Sequence, residues 1–119
     1  MSAESSRTFI GIDIGSTCAK VAVVDSSGEL GYHDVRPTGW SSVDTAWAIY
    51  DTLAGLGFVP ARGDEGSVPE SRDALIVATG YGRVSVPYAG KTVTEITCHG
   101  RGASYLFGGD GPVIDVGGQ

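Results

Sequence analysis

The sequence has little basic charge and no long apolar run. Eight Lys and Arg residues stand against fourteen Asp and Glu residues, so the formal net charge is −6. Nucleic-acid affinity comes largely from Lys and Arg contacts to phosphates, and no basic cluster occurs in this chain. No apolar run approaches the roughly 20 residues that a membrane-spanning helix needs. We therefore expect no nucleic acid and no membrane among the partners of this protein.

Cysteine is also scarce, and a secretory signal pattern is missing. The two cysteines, Cys18 and Cys98, lie far apart, which fits neither a Cys-x-x-Cys metal motif nor a dense disulfide framework. We expect two free thiols. The first residues, Met1 to Thr8, lack a charged stretch followed by an apolar one, so we expect a cytoplasmic location.

The patterns that are present predict one α/β domain. With 119 residues and a hydrophobic fraction of 41%, the chain suits a soluble domain with a modest core. Early apolar runs with tight turns predict three antiparallel strands, and apolar residues at helical spacing after a Ser-Ser cap predict a helix. The predicted elements are, in order, strands at Phe9 to Ile14, Ala19 to Asp25 and Leu30 to Val35, a helix over residues 42–55, a polar loop over 60–73, strands at Ala74 to Thr79 and Val93 to Thr97, and a helix from His99 to Phe107.

Two acidic, glycine-rich turns carry most of the functional information. They are Asp13-Ile14-Gly15-Ser16-Thr17 near the start and Asp115-Val116-Gly117-Gly118-Gln119 at the end. Each follows an apolar run that predicts a buried strand, and each places a carboxylate at the end of that strand and glycines where backbone can approach a ligand closely. Two such turns facing each other could hold a nucleoside triphosphate and its metal. The near repeat also predicts two structurally related lobes.

The first turn has the groups that a phosphate loop needs. Backbone N–H groups around Gly15, Ser16 and Thr17 would point at phosphate oxygens, and the two hydroxyls add donors. Asp13 would face Mg²⁺ through water, because that ion keeps much of its hydration shell, and Lys20 could neutralise phosphate charge. A plain hairpin with an Asx-type turn explains this segment equally well on its own. The matching second turn favours the phosphate interpretation.

The second turn repeats this logic and adds a side-chain amide. Asp115 could bind or orient the metal shell, and Gly117 and Gly118 would let the backbone approach phosphate. Gln119 could orient an attacking water, as the glutamine of small GTPases does. Taken alone, a glycine-rich turn after a buried strand explains this segment better.

Other chemistry-bearing residues favour structural roles. Neighbouring side chains on a helix, such as Cys98 and His99, point about 100° apart and do not form a nucleophile–base pair. Arg83 could reach phosphate or a partner lobe, although a solvated arginine is the more frequent outcome after a turn. Trp40 and Trp47 are most simply explained as core or near-surface packing.

Four segments, in this order, resemble a known family. They are Gly11-Ile12-Asp13-Ile14-Gly15-Ser16-Thr17 with Lys20, Ala78-Thr79-Gly80-Tyr81-Gly82-Arg83, Thr94-Glu95-Ile96-Thr97-Cys98-His99, and Val113-Ile114-Asp115-Val116-Gly117-Gly118-Gln119. Together they resemble the activator ATPases of 2-hydroxyacyl-CoA dehydratases and the related ATP-binding subunits of benzoyl-CoA reductases. These BadF/BadG/BcrA/BcrD-like proteins belong to the superfamily of acetate kinase, sugar kinases, Hsp70 and actin. The phosphate turns indicate the superfamily, and the two middle segments indicate the family.

The resemblance implies a fold and an activity. The fold is a ribonuclease H-like α/β lobe, a mixed sheet with flanking helices, and ATP with Mg²⁺ lies in a cleft between two such lobes. Residues 1–111 would form the first lobe, and residues 112–119 the first strand of a truncated second lobe. In the family, ATP hydrolysis drives electron transfer into a 2-hydroxyacyl-CoA dehydratase or benzoyl-CoA reductase. A homodimer holds one [4Fe–4S] cluster between its subunits.

The resemblance also assigns residues. The first phosphate turn would use Asp13, Gly15, Ser16, Thr17 and Lys20, and the second Asp115, Gly117, Gly118 and Gln119. Catalytic roles would fall to Asp13, Asp115 and Gln119, and metal contacts to Asp13 and Asp115. The family's cluster cysteines and adenosine-binding glycines have no counterpart here, so Cys18 and Cys98 are not cluster ligands, and the chain alone is expected to be inactive. The alternatives are a sugar or small-acid kinase lobe and a non-catalytic interaction module of the same fold.

Overall fold

The computed structural model describes residues 7–69, 73–98 and 101–102. Within them the chain forms β1 (Thr8–Ile14), β2 (Cys18–Asp25), β3 (Leu30–Pro37), α1 (Ser42–Gly55), β4 (Ala74–Thr79) and β5 (Lys91–Thr92). A 3₁₀ turn occupies Arg83–Ser85, and residues 95–98 are helical. Residues 8–35 are all described and contain no helix, as the three apolar runs predict.

The strands form one mixed sheet in the order β3-β2-β1-β4-β5. β1 and β2, and β2 and β3, pair antiparallel, whereas β4 runs parallel to both β1 and β5. The turn between β2 and β3 contains Gly28, whose φ of +86° lies in the left-handed region that glycine tolerates. The Asp25 carboxylate accepts a hydrogen bond from the Ser27 hydroxyl at 2.6 Å, which is the main cause that lowers the pKa of Asp25. The prediction of three antiparallel strands is confirmed.

Helix α1 packs on one face of this sheet. Its first turn is capped by the Ser41 hydroxyl, which accepts a hydrogen bond from the N–H of Asp44 at 3.2 Å and so satisfies a free helix donor. The predicted helix over residues 42–55 is confirmed. The core is a single cluster of buried side chains from α1, β1, β2 and β4, chiefly Ala46, Ile49, Tyr50, Leu53, Ile10, Ile12, Ile14, Ala19, Val21, Val23, Ile76 and Ala78.

Three aromatic rings close one end of this core. The Tyr88 ring lies 4.8 Å from that of Tyr50 and 5.3 Å from that of Trp47, measured between centroids. The Tyr88 hydroxyl donates to the carbonyl oxygen of Ala46, and the Tyr50 hydroxyl donates to that of Pro60 at 2.6 Å. Burial raises the pKa of both tyrosines. The predicted packing role is confirmed for Trp47.

The predictions for Trp40 and for the segment from Val93 to Thr97 are wrong. Trp40 is fully exposed. The predicted strand at Val93 to Thr97 is replaced by the shorter β5 and a helical turn, in which the N–H of Cys98 donates to the carbonyl oxygen of Thr94 at 3.2 Å. Thr94 stands where a helix N-cap is favoured, and Glu95 in the first turn complements the positive end of the helix dipole. Those local preferences outweigh the strand propensity of the segment.

Some predicted elements lie outside the described residues. They include most of the helix from His99 to Phe107 and the whole of residues 112–119. The described part of the polar loop, residues 60–69 and 73, contains neither helix nor strand. Among the described residues, no helix is both long and apolar enough to cross a bilayer.

Candidate functional site

The turn after β1 is held tightly by its neighbours. The N–H of Gly15 donates to the carbonyl oxygen of Cys18 at 2.9 Å, and the N–H of Thr38 donates to that of Thr17 at 2.9 Å. The buried Thr38 hydroxyl donates to the carbonyl oxygen of Gly15 at 2.7 Å. The Thr45 hydroxyl in turn donates to the carbonyl oxygen of Thr38, so the first turn of α1 fixes this loop. Thr38 has a positioning role that the sequence patterns did not single out.

Asp13 and Lys20 face each other across the β1–β2 hairpin. They are partners in the antiparallel register, and Lys20 Nζ lies 3.5 Å from Asp13 Oδ2. The Lys20 side chain is 51% exposed and the Asp13 side chain 22%. An ion pair this open contributes at most about 1 kcal/mol. Both groups can therefore rearrange around a ligand at little cost.

A second turn, after β4, closes against the same carboxylate. Gly80 has a φ of +92°, and a Cβ built on it would lie 2.3 Å from Asp13 Oδ1 and 2.5 Å from the carbonyl oxygen of Ile14. A Cβ on Gly82 would lie 2.6 Å from Ile14 Cγ2, and the Gly82 N–H donates to the Ile14 carbonyl oxygen at 2.8 Å. Both positions require glycine for this close approach. Gly80 therefore packs against Asp13 and Gly82 against Ile14. The sequence signal for both was a Gly-x-Gly directly after a strand.

Arg83 connects two of the family-like segments. Its Nη1 donates to the carbonyl oxygen of Gly80 at 3.0 Å and to Glu95 Oε1 at 3.1 Å. The guanidinium is half-buried and paired, so the expectation of a solvated arginine is wrong. Arg83 instead ties the turn after β4 to the helical turn that begins at Glu95.

A cavity of about 380 Å³ opens beside Asp13, on the face of the sheet away from α1. Asp13, Lys20, Thr79 and Cys98 line it together with apolar side chains and backbone. Thr79 is only 7% exposed, and its hydroxyl has no hydrogen-bond partner within the described ranges. The cavity wall is therefore mainly apolar, and the Asp13 carboxylate, the Lys20 ammonium and the Thr79 side chain are among its lining groups.

The structure brings together all the predicted residues of the first turn. Asp13, Gly15, Ser16, Thr17 and Lys20 lie on the β1–β2 hairpin, and the last three are exposed. The predicted residues of the second turn, Asp115, Gly117, Gly118 and Gln119, lie outside the described residues. In the part of the chain that is described, no three His, Cys, Asp or Glu side chains group closely enough to hold a metal ion. Both Cys18 and Cys98 are free and half-buried.

The sequence is similar to those of several known proteins. Over 111 residues the chain is 36% identical to the uncharacterized protein YjiL of Escherichia coli (strain K12), a match that covers 92% of this chain and 38% of that protein. It is 31% identical over 111 residues to the (R)-2-hydroxyglutaryl-CoA dehydratase activating ATPase of Acidaminococcus fermentans, covering 92% of this chain and 39% of that protein. The chain thus spans about two fifths of the length of these curated relatives.

A solved structure has the same fold. The activator of the 2-hydroxyisocaproyl-CoA dehydratase from Clostridium difficile, solved with bound ADPNP, superposes with a TM-score of 0.61 at 26% identity. The superposition covers 82% of this chain and 33% of the activator. The predicted fold class, a mixed sheet with flanking helices of the actin and Hsp70 type, is confirmed.

The family profile extends across nearly the whole sequence. Residues 10–119 match the family described as the BadF/BadG/BcrA/BcrD ATPase family. That range includes both glycine-rich turns and the two segments that Arg83 and Glu95 connect. The chain belongs to the BadF/BadG/BcrA/BcrD ATPase family.

Proposed function

We propose that this chain supplies the first half of an ATP site in a dehydratase-activating ATPase. The observation that carries the proposal is the position of Asp13. It lies at the end of β1 next to the Gly15 turn, 3.5 Å from Lys20 Nζ, and Gly80 after β4 packs directly against its Oδ1. The carboxyl ends of the parallel strands β1 and β4 meet at this edge of the sheet. That edge is where ligands bind in open α/β sheets.

The hairpin turn offers a defined set of phosphate donors. The Gly15 N–H is already bonded to Cys18, so the first predicted donor is occupied. Ser16 is exposed and makes no hydrogen bond inside the described part of the chain, which leaves its N–H and hydroxyl free for a phosphate oxygen. The exposed Lys20 ammonium adds a positive charge next to them.

The residues present also fit a nucleotide-bound Mg²⁺. Oδ1 of Asp13 is packed against Gly80, where no Cβ would fit, Oδ2 faces Lys20, and Thr79 lines the adjoining cavity together with Asp13. A single carboxylate that contacts the ion through water suits Mg²⁺, which keeps several of its waters when it is bound with phosphates. When bound, the ion would neutralise phosphate charge, while Asp13 and Lys20 orient its surroundings.

The remaining roles complete the proposal. Residues 1–111 form the first lobe, and residues 112–119 begin a second lobe that brings Asp115 to the metal, Gly117 and Gly118 to phosphate, and Gln119 to an attacking water. ATP hydrolysis then drives electron transfer into a 2-hydroxyacyl-CoA dehydratase or benzoyl-CoA reductase. A homodimer would carry the [4Fe–4S] cluster on ligands other than Cys18 and Cys98. The names of the activator relatives and the ADPNP bound to one of them support this proposal.

Nucleotide binding by Asp13 variants tests the proposal. In the complete protein that carries residues 1–119, we expect Asp13→Ala to weaken Mg–ADPNP binding at least tenfold in calorimetry, because one charge-assisted interaction contributes about 1.5–3 kcal/mol. The matched control is Asp51→Ala, which removes an exposed aspartate on α1 that pairs with Arg62. Equal affinities of the two variants would contradict the proposed site.

A further inference from the structure

The buried hydroxyl of Thr79 has no role in the fold described above. Thr79 is the last residue of β4, is 7% exposed, and has no hydrogen-bond partner for Oγ1 among the described residues. Buried polar groups in native proteins almost always have a partner, because an unsatisfied one is destabilising. A valine of similar shape would avoid that cost. An unsatisfied threonine at this position therefore calls for a ligand.

The position of Thr79 indicates which ligand. Thr79 and Asp13 are paired in the parallel register of β4 and β1, so their side chains project from the same face of the sheet. Both line the cavity of about 380 Å³, which has room for water molecules. Lys20 lies on the far side of Asp13, at the phosphate-facing hairpin. Thr79 thus lies beside Asp13 in the sheet, on the side away from Lys20.

We propose that Thr79 is a positioning residue for the nucleotide-bound Mg²⁺, holding through its hydroxyl a metal-bound water that Asp13 also holds. A water on a cation points both hydrogens outward, and two neighbouring acceptors match it. Asp13 provides carboxylate oxygens, and a threonine hydroxyl can accept as well as donate. This inference rests on the proposed ATP site and adds a residue that the two phosphate turns do not contain.

Removal of the hydroxyl without change of shape tests the inference. We would measure ADPNP affinity by calorimetry, with Mg²⁺ and with EDTA, for Thr79→Val and Thr79→Ser in the complete protein. Thr79→Val should bind about tenfold more weakly with Mg²⁺, unchanged with EDTA, and its ligand-free melting temperature should be equal to or above that of the wild type. Thr79→Ser keeps the hydroxyl and should bind like the wild type. The control is Thr52→Val on α1, where the hydroxyl donates to the Ala48 carbonyl oxygen at 3.0 Å and accepts from Arg36 at 3.4 Å, away from the proposed site.

Four other outcomes would overturn the inference, and each points to a different explanation. Equal Mg²⁺-dependent affinity of Thr79→Val and wild type would remove the role of Thr79 and leave the proposed function standing. Equal weakening with and without Mg²⁺ would mean that the hydroxyl contacts the nucleotide itself. A lower ligand-free melting temperature for Thr79→Val, rescued by Thr79→Ser, would assign the hydroxyl to the fold. If the wild-type protein binds no ADPNP, the proposed function fails and the role of Thr79 fails with it.

Discussion

The two faces of the sheet differ, and β1 shows the difference within one strand. Ile10, Ile12 and Ile14 point toward α1 and are at most 2% exposed. The alternating positions Gly11 and Asp13 lie on the other face, where they line a mainly apolar cavity together with Lys20 and Thr79. Because side chains alternate along a strand, one segment can stabilise the fold and hold a ligand at the same time. Stability and chemistry should therefore respond to different substitutions on the same strand.

The largest expected effect is on the α1 side of β1. Ile12→Ala removes a side chain that is 1% exposed and should lower the free energy of unfolding by about 2–5 kcal/mol, because it leaves a cavity in a packed core. The adjacent Gly11→Ala is the matched control, since no atom lies within 4 Å of a Cβ at that position. Urea unfolding of both variants measures the difference. Similar losses of unfolding free energy in both variants would mean that the face toward α1 does not stabilise the fold more than the opposite face does.

The second-largest expected effect is at Gly80, beside Asp13, where a substitution combines backbone strain with a steric clash. Gly80→Ala forces an alanine to a φ of +92° and places its Cβ 2.3 Å from Asp13 Oδ1. We expect a loss of about 1–3 kcal/mol from the backbone strain and a further loss of ADPNP affinity from displacement of Asp13. Gly57→Ala, with a φ of +87° and open space around it, isolates the strain. Unfolding and calorimetry on both variants would show whether Gly80 alone couples to the nucleotide.

The smallest expected effect is a pH dependence of stability, which comes from Tyr88 where it packs against α1. Burial raises the pKa of Tyr88 above its usual value of 10.0, so its neutral form stabilises the fold fully below pH 10. That contribution is lost as the pH rises above 10 toward the folded pKa, because the unfolded state ionises first. Tyr88→Phe should cost about 1 kcal/mol at neutral pH, through the bond to Ala46, and should flatten the alkaline loss. The matched control is Tyr81→Phe, which removes the hydroxyl of an exposed tyrosine.

Local patterns predicted much of the fold. The period-two runs and tight turns indicated β1, β2 and β3, and the Ser41 cap with its apolar spacing indicated α1. The segment from Val93 to Thr97 misled, because its alternation fits a strand while Thr94 and Glu95 suit a helix start. In the structure Thr94 and Glu95 begin a helical turn, and Glu95 also pairs with Arg83 after β4.

Part of the candidate site could also be predicted from the sequence. Asp13 and the Gly15 turn follow from one strand and its end, so sequence alone identifies them. The roles of Gly80, Thr38 and Thr79 depend on the parallel pairing of β1 with β4 and on the first turn of α1. A local pattern marks Gly80 as a turn residue, but it does not encode which strand that turn approaches. Trp40 shows the same limit, since a tryptophan next to a helix cap predicted packing and the residue is fully exposed.

Calorimetry with Mg–ATP on residues 1–119, compared with the complete protein, tests whether these residues hold half of an ATP site. One phosphate turn without an opposing lobe should lose several charge-assisted contacts of about 1.5–3 kcal/mol each, which is orders of magnitude in affinity. We expect weak or undetectable binding and no turnover by residues 1–119 alone. We expect clear binding and ATP hydrolysis by the complete protein, lost on Asp13→Ala or Asp115→Ala. Micromolar ATP affinity of residues 1–119 would show that the site is complete within them and would contradict the division into two halves.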